Sequence, residues 1–285
     1  MMGKKTHWIF IFASFVISCA SLIVLIVSTT TTEWVIGNAI TRDGATATIN
    51  AHYGLFSGSQ ELHIFEVTSP YDLTMTCSFE HNICGLSCQR TPEARSDEIL
   101  RIKNGEIPLD CPLSNSRSSG IAKLQEATEI SPRNTPPNEQ FISSALWLST
   151  LICLCITILF SFLTTIQSLV NIISNPIWSI FSVYGLYIWN GLTIAFAVLT
   201  MILWGSLFAT SIRYNIAIRH TLTVNTTLSS EDLSSLGFSY WILFGPIVLH
   251  AVNIGLLLWR RWLIEREPPP VAINVAKNDF TILLY

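Results

Sequence analysis

The sequence predicts a membrane-embedded, all-α four-helix bundle that carries a small extracellular antiparallel β-sheet. Three observations predict it. Only 12% of the 285 residues are charged, about half the ~25% usual in soluble domains, while 50% are hydrophobic. Three long stretches lack any charge: Trp8 to Thr32, Gln140 to Ile212 and Gly237 to Trp259. Between the first two of these runs the pattern changes to short apolar–polar alternation. A spanning helix needs about 20 apolar residues, and the middle run is long enough for two. Continuously apolar runs fit helices, whereas alternation fits a half-buried antiparallel sheet.

Taken in order, residues 1–7 form an amino-terminal segment and 8–29 the first span. Lys4 and Lys5 precede that span, as in a signal peptide, but the run exceeds the roughly 7–15 residues of a signal core and is therefore read as a helix. Residues 30–141 form a large outer loop, 142–168 the second span, 169–181 a turn and 182–208 the third span. A second outer loop at 209–237, the fourth span at 238–259 and a tail at 260–285 complete the chain. Gly245-Pro246 is expected to kink the fourth span. Lys4 and Lys5 before the first span, and Arg260, Arg261 and Arg266 after the last, place both termini in the cytoplasm by the positive-inside bias. This gives a multi-pass protein of the plasma membrane. A net charge of −3 gives no reason to expect a nucleic-acid partner.

The large loop divides in two. Over about 33–79, ATATINAHY, ELHIFEV and DLTMTCSF read as strands, the last placing Leu73, Met75, Cys77 and Phe79 on one face. Tyr53, Leu55 and Phe56 in HYGLFSGS are expected to pack near Trp34 where the sheet meets the helices, with Gly54 and Gly58 allowing a close turn. Residues 80–138 carry cysteines, and from Arg90 onward the composition is polar and Ser/Pro-rich, which predicts poor order over much of 90–138. Cys77, Cys84, Cys88 and Cys111 are disulfide candidates with three possible connectivities. Cys77, His81, Cys84 and Cys88 also have a spacing that suits zinc, but oxidation outside the cell competes with thiolate ligation, and no metal is expected. Cys19, Cys153 and Cys155 fall in spans and read as reduced packing residues. Asn225 heads the sequon Asn-Thr-Thr on the expected outer side and is a glycosylation candidate.

No nucleophile elbow, phosphate-binding loop, HExxH or dinucleotide fingerprint occurs, so neither a catalytic residue nor a cofactor is assigned. His250 and Asn253 share one helix face in the fourth span, with Asn190 as a partner in the third. The reading preferred for them is an interhelical hydrogen-bond cluster, because no intramembrane carboxylate or Lys accompanies them as a proton or ion path requires. After Pro268-Pro269-Pro270 the tail ends NDFTILLY. Leu283 and Tyr285 have the spacing of a PDZ ligand; the other reading is a tail resting on the membrane surface.

Four spans, a large first outer loop and Trp34 followed by Gly54-Leu55-Phe56 resemble the claudin and peripheral-myelin tetraspan superfamily. Phe56 stands where that signature has a Trp, and the outer cysteines begin only at Cys77. The chain is similar to the clarin family within it through EWVIGNAITRD, HYGLFSGS, SNPIWSIFSVYGLYIWNGLTIAFAVLTMIL (174–203), SYWILF and the tyrosine-containing end. The resemblance implies a claudin-like fold and a non-enzymatic membrane protein that organises, or is an accessory subunit of, a membrane complex. Links to sensory cells and the actin cytoskeleton come with it. A membrane-protein partner would meet the first outer loop, and a PDZ or cytoskeletal scaffold the tail. The alternative it implies is claudin-like adhesion between cells.

Overall fold

The computed structural model describes residues 3–41, 47–64, 67–104, 141–173, 182–216, 228–230 and 232–266. Four of its helical segments are long and apolar enough to cross a membrane: Trp8–Thr30, Ser144–Ile173, Val183–Ile212 and Phe238–Arg266. They correspond to α1 (Gly3–Thr30), α3 (Ser144–Ile173), α4 (Val183–Leu207, extended by a π-helical turn Phe208–Ile212) and the pair α5 (Phe238–Trp241) and α6 (Phe244–Arg266). The interruption in the last span lies at Ile242 and Leu243. Pro246 falls in the first turn of α6, where a missing N–H costs little.

The polarity of the bundle is the reverse of a soluble core. Outward-facing residues are Trp8, Phe12, Val16, Ile23, Leu159, Phe162, Ile166, Ile188, Ile202, Val248 and Val252, all exposed. The inward stripes run Ser14-Ser18-Ser21-Leu25-Ser28 on α1 and Thr150-Thr157-Ser161-Thr164-Ser168 on α3, all buried. On α4 they are Leu186-Asn190-Thr193-Ala197-Thr200-Trp204, and on α6 Pro246-His250-Asn253-Leu257. Lipid tails are as apolar as Leu, so helices in a bilayer gain nothing by hiding apolar side chains from it. They associate through close packing of small residues and through interhelical hydrogen bonds. Steps of three and four, or seven between Thr150 and Thr157, keep the residues of each stripe on one helical face.

Among the described residues, seven strands form one antiparallel sheet in the order β5-β4-β3-β2-β1-β6, with β7 also pairing β1. They are β1 (Val35–Thr41), β2 (Ala47–Tyr53), β3 (Ser57–Ile64), β4 (Val67–Ser78), β5 (Ile83–Ser87), β6 (Leu228–Ser229) and β7 (Ser234–Leu236). The alternation read in the sequence is realised: Ile49, Ala51, Tyr53, Leu73 and Met75 face the core, while Asn38, Asn50, Glu61 and Asp72 face outward. Phe79 departs from its expected face, because the chain turns after Ser78 and leaves the ring exposed.

The sheet is larger than residues 33–79. It gains β5, and the second loop supplies β6 and β7, which occupy the free edge of β1. Gly37 permits that closure, since a Cβ there would lie 2.6 Å from the Leu233 carbonyl oxygen and the Ser234 Cα. The other edge is covered as well: Cys84 exchanges backbone hydrogen bonds of 2.8 and 3.1 Å with Ile142, just before α3.

The expectation of poor order from residue 90 fails over Pro92–Lys103, which forms α2. Its start is well specified. The Thr91 side chain accepts from the Ala94 N–H, Pro92 opens the helix, Glu93 lies in the first turn, and Arg101 and Lys103 lie in the last. Ile99 and Ile102 then pack with Phe141. Composition obscured a short amphipathic helix whose apolar residues are few but share one face.

Cys77 and Cys84, directly paired in the β4–β5 ladder, form a disulfide, and Cys88 is also disulfide-bonded. The first bond consumes two of the thiols that a metal set would need. Cys19, Cys153 and Cys155 are free thiols. Cys111, the sequon at Asn225, and Leu283 and Tyr285 lie outside the described residues.

Candidate functional site: a polar junction in the bundle and the joint beneath the sheet

Each spanning helix contributes to one buried polar junction. Asn190 on α4 donates through Nδ2 to its own helix at the Leu186 carbonyl, 2.6 Å away. That bond fixes the amide, so Oδ1 points across the bundle to α6. It receives the Asn253 Nδ2 at 3.0 Å and lies 2.7 Å from the His250 Nδ1. An amide oxygen only accepts, so His250 Nδ1 carries the hydrogen. In the neutral ring Nε2 then accepts from the Ser161 hydroxyl on α3, at 3.2 Å. Asn253 Nδ2 also reaches the Ser18 Oγ on α1 at 3.1 Å. All five side chains are fully buried. Among the described residues Asn253 Oδ1 has no partner, nor does Ser21 Oγ one turn along α1.

Ser161, His250 and Asn190 have the connectivity of an activated hydroxyl: a serine on one imidazole nitrogen and an orienting oxygen on the other. Their setting argues against that chemistry. Ser161 lies in the middle of a continuous helix, where backbone N–H groups are occupied along the ladder, and its side chain is closed off on all sides. What the arrangement does is fix rotation and depth of four helices at one level, since a one-residue slip of any of them breaks its bond. Composition alone hides Ser18 and Ser161 among many hydroxyls. The signal that finds them is the three-and-four spacing of small polar residues along each span, read before the histidine is considered.

The second cluster joins sheet to bundle. Trp34, fully buried, donates from Nε1 to the Ser28 carbonyl at 2.7 Å, across the end of α1. Its ring meets Trp204 edge-on at 5.2 Å and Tyr240 at 6.4 Å. Its backbone receives the Gly237 N–H at 2.9 Å and donates to Tyr53 at 3.1 Å. Ser28 Oγ donates to the Ser239 carbonyl at 2.7 Å, tying α1 to α5. Tyr53 and Leu55 are buried in the same cluster as Trp34. Gly54 has to be small: a Cβ would lie 2.5 Å from the Thr31 carbonyl oxygen. Burial pushes the Tyr53 phenol well above its ordinary value, and its hydroxyl has no partner among the described residues.

Phe56 does not join Trp34. It is 49% exposed and stands edge-on to Trp147 of α3 at 6.4 Å. Its loop reverses direction between β2 and β3, so Leu55 turns inward and Phe56 outward. Trp147 Nε1 completes this contact by donating to the Leu55 carbonyl at 3.0 Å.

Asn82 was not anticipated as a joint residue. It sits in the β4–β5 turn with φ of 51°, a left-handed conformation that Asn tolerates. Its Oδ1 accepts from the Ser143 and Ser144 hydroxyls at 3.1 Å each and from the Ala145 N–H at 3.0 Å. A hairpin turn therefore caps the start of a spanning helix 62 residues away.

No family profile matches the chain. Over 113 residues it is 31% identical to Clarin-3 of Homo sapiens, a match covering 36% of this chain and 48% of that protein. The match thus spans about half the length of the curated relative. With four apolar helices and the antiparallel sheet, this similarity supports a clarin-like tetraspan, multi-pass membrane protein.

Proposed function

We propose that this protein is a non-enzymatic organiser or accessory subunit of a plasma-membrane complex. In this reading the sheet lies outside the cell and both termini lie in the cytoplasm. The observation that carries it is the rigid joint. Trp34, Leu55 and Asn82 fasten the sheet to α1, α3, α4 and α5, so the outer face is a platform held at fixed height and angle. That face presents Asn38, Asn50, His52, Ser59, Glu61 and His63, side chains with hydrogen-bonding capacity for a membrane-protein partner. The similarity to a clarin extends the reading to sensory cells and to a cytoskeletal scaffold bound by residues after α6.

The test is copurification from native membranes in mild detergent, followed by crosslinking mass spectrometry. The reading expects a stoichiometric partner whose crosslinks fall on β1–β4 and which is lost on Glu61→Arg with normal surface delivery. Recovery of monomers alone would sink it.

Claudin-like adhesion is the second reading. It is favoured by Ile36, exposed on the outer face of β1, and by the exposed Phe79 in the β4–β5 turn. Adhesion requires enrichment at contacts between two expressing cells; a uniform distribution counts against it.

A further inference from the structure

The inward stripe of α6 does not stop at Leu257. One step further along the same face is Arg260, half-buried, at the end of the bundle opposite the sheet. Its Nε is buried with no acceptor, and it forms no ion pair or hydrogen bond among the described residues. The Tyr187 hydroxyl, from the first turns of α4, is likewise buried without a partner among the described residues. The register that sets Asn190 against Asn253 carries both toward the same end of the α4–α6 pair: Tyr187 lies one turn from Asn190, and Arg260 two turns from Asn253.

Neighbouring helices cannot neutralise this charge. No Asp or Glu occurs in residues 1–32 or 140–230, which include all of α1, α3 and α4. Arg261 differs: it is exposed and its charge is met by Glu265 at 2.9 Å. Arg266 lies 3.7 Å over the Trp262 ring. A partly buried guanidinium without a counter-charge among the described residues is costly at the edge of a membrane, and its planar fork matches carboxylate and phosphate oxygens.

We propose that Arg260 and Tyr187 form a site for a phosphate oxygen of an anionic lipid headgroup. The depth suits such a ligand. Trp259, Trp262 and Tyr184 are exposed around the same end of the bundle, and amphipathic aromatics settle at headgroup level. Arg260 supplies two parallel N–H donors and the charge, Tyr187 a third donor, and the acyl chains lie along the apolar outer faces of α4 and α6.

The test uses the full chain in detergent, titrated with phosphatidic acid or phosphatidylcholine and read by native mass spectrometry, with melting temperature measured in parallel. The expected result is preferential retention of phosphatidic acid, whose phosphate is uncapped and carries more charge. Arg260→Gln should weaken that retention about tenfold, the scale of a lost charge-assisted hydrogen bond, and Arg260→Lys and Tyr187→Phe should weaken it less. Arg261→Gln, whose charge Glu265 already meets, should weaken it less than Arg260→Gln does. Equal retention of both lipids overturns the site, and so does an equal loss in Arg261→Gln, which would mean diffuse surface charge. A separate arm replaces the lipid by inorganic phosphate. Full stabilisation by phosphate at matched concentration would overturn the assignment to lipid. Arg260→Lys and Tyr187→Phe, which retain the side-chain bulk, keep the test decisive if Arg260→Gln fails to fold.

Discussion

Asn190 is the residue on which the interior of the bundle turns. Its Oδ1 serves both His250 and Asn253, while its Nδ2 is anchored on its own helix. Asn190→Leu leaves the buried His250 Nδ1–H without an acceptor, at about 1–3 kcal/mol, and Asn253 Nδ2 with Ser18 alone, and should lower the melting temperature in detergent sharply. Adding His250→Leu should cost less than the sum of the two single changes, because it removes the stranded donor. Ser161→Ala removes only one interhelical bond, about 0.6 kcal/mol on average. If Ser161→Ala abolished cellular function with melting temperature and surface delivery intact, the structural reading of the junction would be wrong. Tyr53 gives a pH prediction. Its phenol ionises at higher pH in the folded chain than in the unfolded one. Its contribution is therefore fully present below the ordinary phenol value of about 10 and is lost as pH rises above it. Tyr53→Phe should reduce the loss of stability above that pH in thermal melts. An unchanged alkaline profile would mean that the phenol is not the group responsible.

At the scale of elements, the β4–β5 hairpin does two jobs. The Cys77–Cys84 disulfide and the ladder around it hold the turn, and the turn delivers the Asn82 carboxamide to the start of α3. The disulfide therefore acts on a spanning helix as well as on the sheet. Asn82→Gly keeps the left-handed backbone but loses the cap, about 1 kcal/mol on the usual scale for caps. Asn82→Ala loses the cap and strains the backbone as well. Thermal melts should rank wild type above Asn82→Gly and Asn82→Gly above Asn82→Ala. The reverse order for the two variants would show that the cap contributes nothing. The α2 helix illustrates what local signals achieve: Thr91, Pro92 and the terminal charges mark its bounds although the surrounding composition reads as irregular.

At the scale of the molecule, the inverted polarity makes a directional prediction. Phe162, 48% exposed on α3, faces lipid, whereas Ser161 beside it faces the junction. Phe162→Asp places a charge in hydrocarbon at about 2.5–3.5 kcal/mol and should reduce membrane insertion in a glycosylation-mapping assay. Phe162→Leu should leave insertion unchanged. Equal insertion of all three proteins would mean that this face of α3 is covered by protein and not by lipid. The same inversion explains how one chain satisfies both solvents: apolar outer faces dissolve the bundle in lipid, and the polar interior supplies the cohesion that lipid withholds.

Hydropathy alone determined the number of spans, because backbone polar groups in a bilayer leave the chain few options beyond continuous apolar helices. Alternation alone determined that the first loop holds an antiparallel sheet, and the paired polar residues His250, Asn253 and Asn190 were legible as helix glue from their spacing. Tertiary structure decided the rest. Strands β6 and β7 have only two and three residues and pair across almost 200 positions, so no local pattern announces them. The roles of Ser18, Ser161 and Asn82 depend on which helix rotation and which turn bring them to a partner. The opposite fates of Leu55 and Phe56, adjacent and equally apolar, were set by the direction in which one loop reverses. Periodicity is a property of a segment and can be read from it. Partnership joins segments distant in the chain, and only the assembled fold brings them within the few ångströms over which a hydrogen bond or a ring contact acts.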